Sequence, residues 1–314
     1  MSARINESLK QRLRRSAKAF NDRLLRAWAR STPTEQQRLL ALTLVVGGVC
    51  GLVAVSFHLA ITFCSRALIE RAMGLSGWHW IVATILTPFV GALIVGAIAT
   101  RLPNVRGSGI PQVKAVYSLS STSQRLRLRD AVSKFALSAL MIGSGSSLGR
   151  EGPTVQICAS VASAIGRLFA LSPSNQRRLI PVGAAAGIAA AFNSPIAAVT
   201  FVIEELVGDL VMAVLSGVVV AAALAAVVEH SVLGEHPVFA VSRDFGLTHT
   251  SSLLIYGAQG VACGLAAYVF TSGLLTVRRS FSASAHIPLL VYQLGGMGWM
   301  AGPACAVPEA AIAL

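Results

Sequence analysis

Charge is what this sequence has least of. Only 12% of its 314 residues are Asp, Glu, Lys or Arg, roughly half the ~25% of an average soluble domain. That scarcity excludes an ordinary soluble domain. Motifs of enzymatic and metal chemistry are missing as well. The five cysteines (Cys50, Cys64, Cys158, Cys263, Cys305) have no CxxC spacing and sit among apolar neighbours, so they are read as buried or lipid-facing free thiols. The six histidines show no metal-ligand spacing; His79 edges an apolar run, while His230, His236 and His249 share one loop region. No nucleophile–base pair, metal cluster or nucleotide loop stands in a convincing context, so no enzyme, metal or cofactor is expected. A short apolar segment followed by a cleavage site is absent too, and no signal peptide is expected.

Apolar length is abundant: 54% of the residues are hydrophobic. Leu39 to Cys64 and Ser252 to Val277 each run 26 residues without a charge. A bilayer core of about 30 Å needs roughly 20 helical residues, so both can cross it, tilted. Trp80 to Thr100 and Leu210 to Val228 also qualify. The fold class is therefore an all-α polytopic membrane protein. Helices are expected at about 39–65, 77–100, 111–119, 131–143, 153–170, 177–191, 195–207, 210–232 and 252–277. The charged stretch Glu229 to His249 is expected as an extramembrane loop.

The excess positive charge is concentrated at the start. Residues 1–38 carry ten Lys or Arg against Glu7, Asp22 and Glu35. Leu9, Leu13, Ala17, Phe20 and Leu24 recur at helical spacing, which suits a basic amphipathic helix on an anionic membrane surface. A nucleic-acid-binding arm is the sharper alternative. A solvated tail that obeys the positive-inside rule is favoured over it, so the N-terminus is expected in the cytoplasm and no nucleic acid is expected as a partner.

The interruptions carry more information than the spans. Leu179 to Ile203 has 25 uncharged residues, yet Asn193-Ser194-Pro195 lies inside it. Proline lacks the backbone donor and clashes with the preceding turn, so two helical pieces are expected there. Gly183 and Gly187 offer a small face for close helix contact.

Two stretches place glycines before a proline that opens an apolar helical pattern: Gly107-Ser108-Gly109-Ile110-Pro111 and Gly149-Arg150-Glu151-Gly152-Pro153. Proline suits the first helical position, and unpaired N–H groups with the positive end of the helix dipole attract anions. A surface Gly-Pro loop is the plain alternative for either motif alone. Two of them, about forty residues apart between apolar segments, point to half-helix ends aimed at one site near the midplane. Ser108 adds a neutral hydroxyl donor, which can replace water around an anion without trapping it.

Glu151 is a carboxylate at membrane depth and hence a functional candidate. As an anion it can occupy the seat an anionic substrate would take, and protonation frees that seat. The alternative is a helix cap paired with Arg150. A second acidic pair, Glu204-Glu205, closes the apolar run Ile196 to Ile203. Neighbouring helical residues point ~100° apart, so at most one of these shares an interior with Glu151.

GSGIP at 107–111, GREGP at 149–153 and Ala191-Phe192-Asn193-Ser194-Pro195 leading to Glu204-Glu205 resemble, in order and spacing, the CLC chloride channels and chloride–proton antiporters over roughly residues 40–280. The resemblance implies a CLC-type fold: a basic segment at 1–38, a first inverted repeat at 39–250, and the start of a second repeat at 251–314. It implies that Ser108 coordinates chloride, with Gly109 and Ile110 offering N–H groups beside it. Glu151 matches the external gate and Glu205 the internal proton-transfer acid. Lys134 matches a buried lysine near the anion route, and Arg150, Gly149, Gly152 and Pro153 complete the second motif.

The implied activity is chloride/proton antiport by a homodimer in the cell membrane, with chloride, protons and lipid as partners. A passive voltage- or pH-gated chloride channel, or an inactive fragment, is the alternative. A second-repeat GxFxP helix start and a tyrosine in matching context are absent, since Tyr256, Tyr268 and Tyr292 do not fit, and residues from about 281 onward are expected to be a truncated or frame-shifted tail.

Overall fold

The structure, a computed structural model, describes residues 35–118, 126–208, 212–234 and 252–283. Among the described residues every element is helical and there is no strand. In chain order the helices are α1 (Glu35–Ala67), α2 (Ile69–Met73), α3 (His79–Thr100), α4 (Ile110–Ser118), α5 (Leu128–Gly143), α6 (Glu151–Leu168), α7 (Pro173–Phe192), α8 (Pro195–Phe201), α9 (Met212–Leu233) and α10 (Ser252–Ala283). A 3₁₀ turn (Pro103–Val105) precedes α4, and a π turn (Val202–Val207) continues α8. The basic segment before residue 35 and the tail after residue 283 lie outside the described residues, as do His236, His249, Tyr292 and Cys305.

Among the described residues four stretches are long and apolar enough to cross a membrane: Gln37–Met73, His79–Thr100, Val214–Leu233 and Ser252–Thr276. The chain is a multi-pass membrane protein. At 1.5 Å per residue, the 33-residue α1 is about 50 Å long, more than a ~30 Å hydrocarbon core, so it must tilt or project.

Small residues hold the bundle together, because lipid offers no hydrophobic penalty that would drive helices into one another. Gly47 and Gly51 of α1 lie against Ala221 and Ala225 of α9; a Cβ on Gly47 would come within 3.0 Å of the Ala221 backbone. Gly183 of α7 faces the Cys158 carbonyl of α6 at a Cβ distance of 2.6 Å, and Gly187 faces the Cys158 thiol at 2.8 Å. The thiols of Cys50 and Cys158 each donate to the other's backbone carbonyl, at 3.5 and 3.7 Å. With these close approaches α7 becomes the central helix, wrapped by α6, α9 and α1. Leu179 to Ala190 are all buried. Residues 252–276 of α10 bury nothing against the other described residues.

The break at Asn193-Ser194-Pro195 is present. Asn193 ends α7 in the left-handed conformation (φ 51°, ψ 37°) and Pro195 starts α8. Asparagine tolerates this region better than most residues, which is why the chain can reverse there.

Three expectations need correction. The prolines of the two Gly-Pro motifs do not open their helices: Ile110 and Glu151 do, leaving Pro111 second and Pro153 third. First-turn N–H groups have no intrahelical acceptor, so proline is tolerated at these positions too. Glu151 accordingly is the first residue of α6 rather than the residue before it. The loop expected from Glu229 does not begin there either: Glu229 and His230 belong to α9, which runs to Leu233, and Glu229 is buried.

A cavity where two helix starts meet

The first helix start is tied down by side chains acting on backbone carbonyls. Arg106 folds back and donates to the carbonyls of Ala99 (2.8 Å) and Thr100 (2.7 Å), satisfying the end of α3. Lys134 reaches from α5 and donates to the carbonyls of Val105 (2.9 Å) and Gly107 (2.5 Å). Gln112 donates to the Arg106 carbonyl at 2.6 Å, and Gln156 of α6 to the Asn104 carbonyl at 2.9 Å. Gly107 and Gly109 adopt φ of +78° and +111°, which only glycine takes without strain. The segment is thus pinned by its carbonyls while α4 begins at Ile110 with its first-turn N–H groups unspent.

The second helix start is built differently. Arg150 turns away from Glu151: its Nη1 lies 2.8 Å from His58 Nδ1 of α1, and its guanidinium stacks 5.7 Å from the Phe192 ring. The Glu151 carboxylate instead curls back over the α-carbon of Gly149, where any side chain would collide with it. Glu151 is half-buried and Gly149 is exposed.

These two starts touch. A Cβ on Gly109 would meet the Gly152 carbonyl at 2.5 Å, and one on Gly152 would collide with the Ser108 carbonyl. Beside this junction lies a cavity of about 540 Å³ lined by Ser108, Ile110, Lys134, Gly149, Glu151, Gly152 and Pro153, with Arg106 and apolar side chains of α3 and α5. Ser108, Ile110, Lys134 and Glu151 therefore line one cavity, with Ser108 on its exposed side. Gly109 is buried behind it, and Arg150 faces His58 instead.

Glu205 is elsewhere. It lies in the π turn, whose wider spacing is closed by the Gly208 N–H donating to the Ile203 carbonyl at 2.8 Å. Its carboxylate pairs with Lys114 of α4 at 3.3 Å, both side chains being about half exposed. Glu204 is exposed as well.

The cavity carries two cations, Lys134 and Arg106, two helix N-termini, the hydroxyls of Ser108 and Ser138, and one acid, Glu151. Such a set attracts a small anion by dipoles and partial charge, while the ammonium of Lys134 is occupied by two carbonyls and acts at one remove. Sequence reasoning missed Arg106, Gln112, Gln156 and His58. Gln156 lies five residues after Glu151, one and a half turns along α6, and a buried amide there was the one signal that spacing offered.

Comparison with known proteins follows the same lines. The family model for the voltage gated chloride channel matches residues 91–311, reaching past the motif-bearing stretch into the tail. The H(+)/Cl(−) exchange transporter ClcA of Vibrio campbellii is 30% identical over 262 residues, 81% of this chain and 54% of the relative. ClcA of Citrobacter koseri is 28% identical over 276 residues, covering 84% and 57%. Among solved structures, a slow cyanobacterial Cl−/H+ antiporter superimposes with a TM-score of 0.73 at 26% identity, covering 86% of this chain and 64% of the other. A eukaryotic CLC transporter shares the fold with a TM-score of 0.69 at 21% identity, covering 83% and 49%. The chain spans about half the length of the curated relatives it matches.

Proposed function

The chain belongs to the voltage-gated chloride channel (CLC) family, and from that premise we propose that it moves chloride across a membrane in exchange for protons. The observation that carries this reading is the shared cavity: Ser108 and Glu151 line the same interior where two helix starts meet. In this reading the Ser108 hydroxyl and the N–H groups of Gly109 and Ile110 replace the water around chloride. Glu151 competes for that seat when ionised and vacates it when protonated, so one carboxyl is both gate and proton carrier.

Glu205 is the acid that exchanges protons with the opposite solution. Its half-exposed place beside Lys114, outside the cavity, supports an entry point rather than a chloride ligand. Lys134 holds the Ser108 segment by its carbonyls. Gly149 leaves room for the Glu151 carboxylate, Gly152 lets the two starts touch, Pro153 walls the cavity, and Arg150 anchors the α6 start to α1.

The domain reading that goes with this function is a first repeat at 39–250 and the start of a second at 251–314, behind a cytoplasmic basic segment at 1–38. The protein is read as a homodimer in the cell membrane and as a transporter, not an enzyme. A proton gradient imposed on chloride-loaded vesicles tests the exchange. Chloride driven uphill by protons alone supports antiport; chloride that only runs down its own gradient makes the protein a passive channel.

A further inference from the structure

A second group of side chains gathers around Arg150, and none of it lines the cavity. It joins His58 of α1, Arg150 at the start of α6, Phe192 and Asn193 at the end of α7, and Glu229 and His230 of α9. Arg150 Nη1 lies 2.8 Å from His58 Nδ1. Arginine keeps its protons at all relevant pH, so Nη1 is the donor and Nδ1 must carry a lone pair. His58 is therefore neutral, with its proton on Nε2.

Glu229 is only 8% exposed, and among the described residues its Oε2 has no hydrogen-bond donor. The His230 ring lies beside it, its Nε2 3.9 Å from that oxygen and already hydrogen-bonded to Asn193 Oδ1. A buried carboxylate oxygen without a donor is unfavourable, because its lost hydration is not replaced. Arg150 stacks on Phe192, and the next residue, Asn193, bonds the His230 ring that lies beside Glu229, so Arg150 sits in the field of both Glu151 and Glu229. Among the charged groups of neighbouring elements, Lys134 is held by the carbonyls of Val105 and Gly107, and Glu205 by Lys114.

We propose that His58, Arg150 and Glu229 form a second proton-binding site, separate from the chloride cavity, whose occupancy decides which partner holds Arg150. A proton arriving from solution takes the Nδ1 lone pair of His58. The Arg150–His58 bond then has donors on both sides and like charges, and it breaks. The guanidinium turns to the vacant Oε2 of Glu229, where a charge-assisted hydrogen bond replaces the lost one. No covalent bond changes other than the new N–H. The positive charge added at His58 favours the ionised Glu151 gate; this consequence rests on the transport reading above.

The site itself is tested without transport. Histidine-labelled protein in lipid vesicles is followed by ¹⁵N spectroscopy from about pH 5 to 8, the range in which histidine changes charge, with His58 assigned through its correlation to Arg150. The expected result is a neutral Nε2–H tautomer at high pH, conversion to imidazolium on acidification, and a changed titration in Glu229→Gln. A His58 signal with the proton on Nδ1 at high pH, or one indifferent to Glu229→Gln, overturns the proposal.

The coupling is read from the pH profile of chloride efflux. In His58→Gln the amide oxygen still accepts from Arg150 but gains no charge. Acid activation should then shift to higher pH by about one unit, the order of magnitude expected of one charge acting through a partly hydrated interior. A purely structural role would lower efflux at every pH and leave the midpoint in place, which overturns the coupling. Absence of efflux in the parent protein would reject the transport reading, while the spectra still decide the proton site.

Discussion

Gly109 and Gly152 stand face to face: the α-carbon of Gly109 lies against the Gly152 carbonyl, and that of Gly152 against the Ser108 carbonyl. Two helix starts can converge on one cavity only if neither carries a side chain at this junction. A methyl group on Gly109 would also sit at φ +111°. Gly109→Ala should therefore destabilise the protein by about 2–4 kcal/mol through overpacking and backbone strain together. Thermal unfolding in detergent measures this, and an unchanged midpoint would mean that the two starts do not touch.

Lys134 bonds two carbonyls from a position that is 4% exposed. Lys134→Met keeps most of the volume and removes both donors, leaving the Val105 and Gly107 carbonyls unpaired. A stability loss of about 2–4 kcal/mol is expected, with weakened chloride binding. Lys134→Arg should not restore it, since a planar fork does not reproduce a point donor between two carbonyls. Full stability in Lys134→Met would show that the loop is held by Gln112, Gln156 and Arg106 without it.

Glu205 and its partner Lys114 are half-exposed, so the pair should contribute less than about 1 kcal/mol to stability. Glu205→Gln is expected to leave chloride affinity within about twofold of the parent, as the residue lies outside the cavity, while proton movement is lost. Titration calorimetry and a pH-sensitive dye inside vesicles read the two effects separately. A large loss of chloride affinity would place Glu205 in the chloride site instead.

Much of this was legible in the sequence because each break has a local cause. Pro195 and the αL-tolerant Asn193 mark the turn between α7 and α8, and the Gly-Pro motifs mark the starts of α4 and α6 to within two residues. The neighbours that fix those starts were not legible. Lys134 to Gly107 spans 27 residues and Arg150 to His58 spans 92, and no periodicity encodes such pairings. Glu229 was misplaced in a loop for a related reason. A carboxylate at the end of an apolar run ordinarily marks the water boundary, and only the packing of α9 against α7 and α1 reveals that it is buried.

The central claim is that chloride and the Glu151 carboxylate compete for one seat beside Ser108. Chloride affinity measured by calorimetry on the parent protein and on Glu151→Gln, near neutral pH, tests it directly. Removing the competing charge should tighten binding by about tenfold or more, equivalent to roughly 1.4 kcal/mol, and should abolish the part of the pH dependence that comes from competition with Glu151. Equal affinities in the two proteins, with the same pH dependence, would contradict the claim.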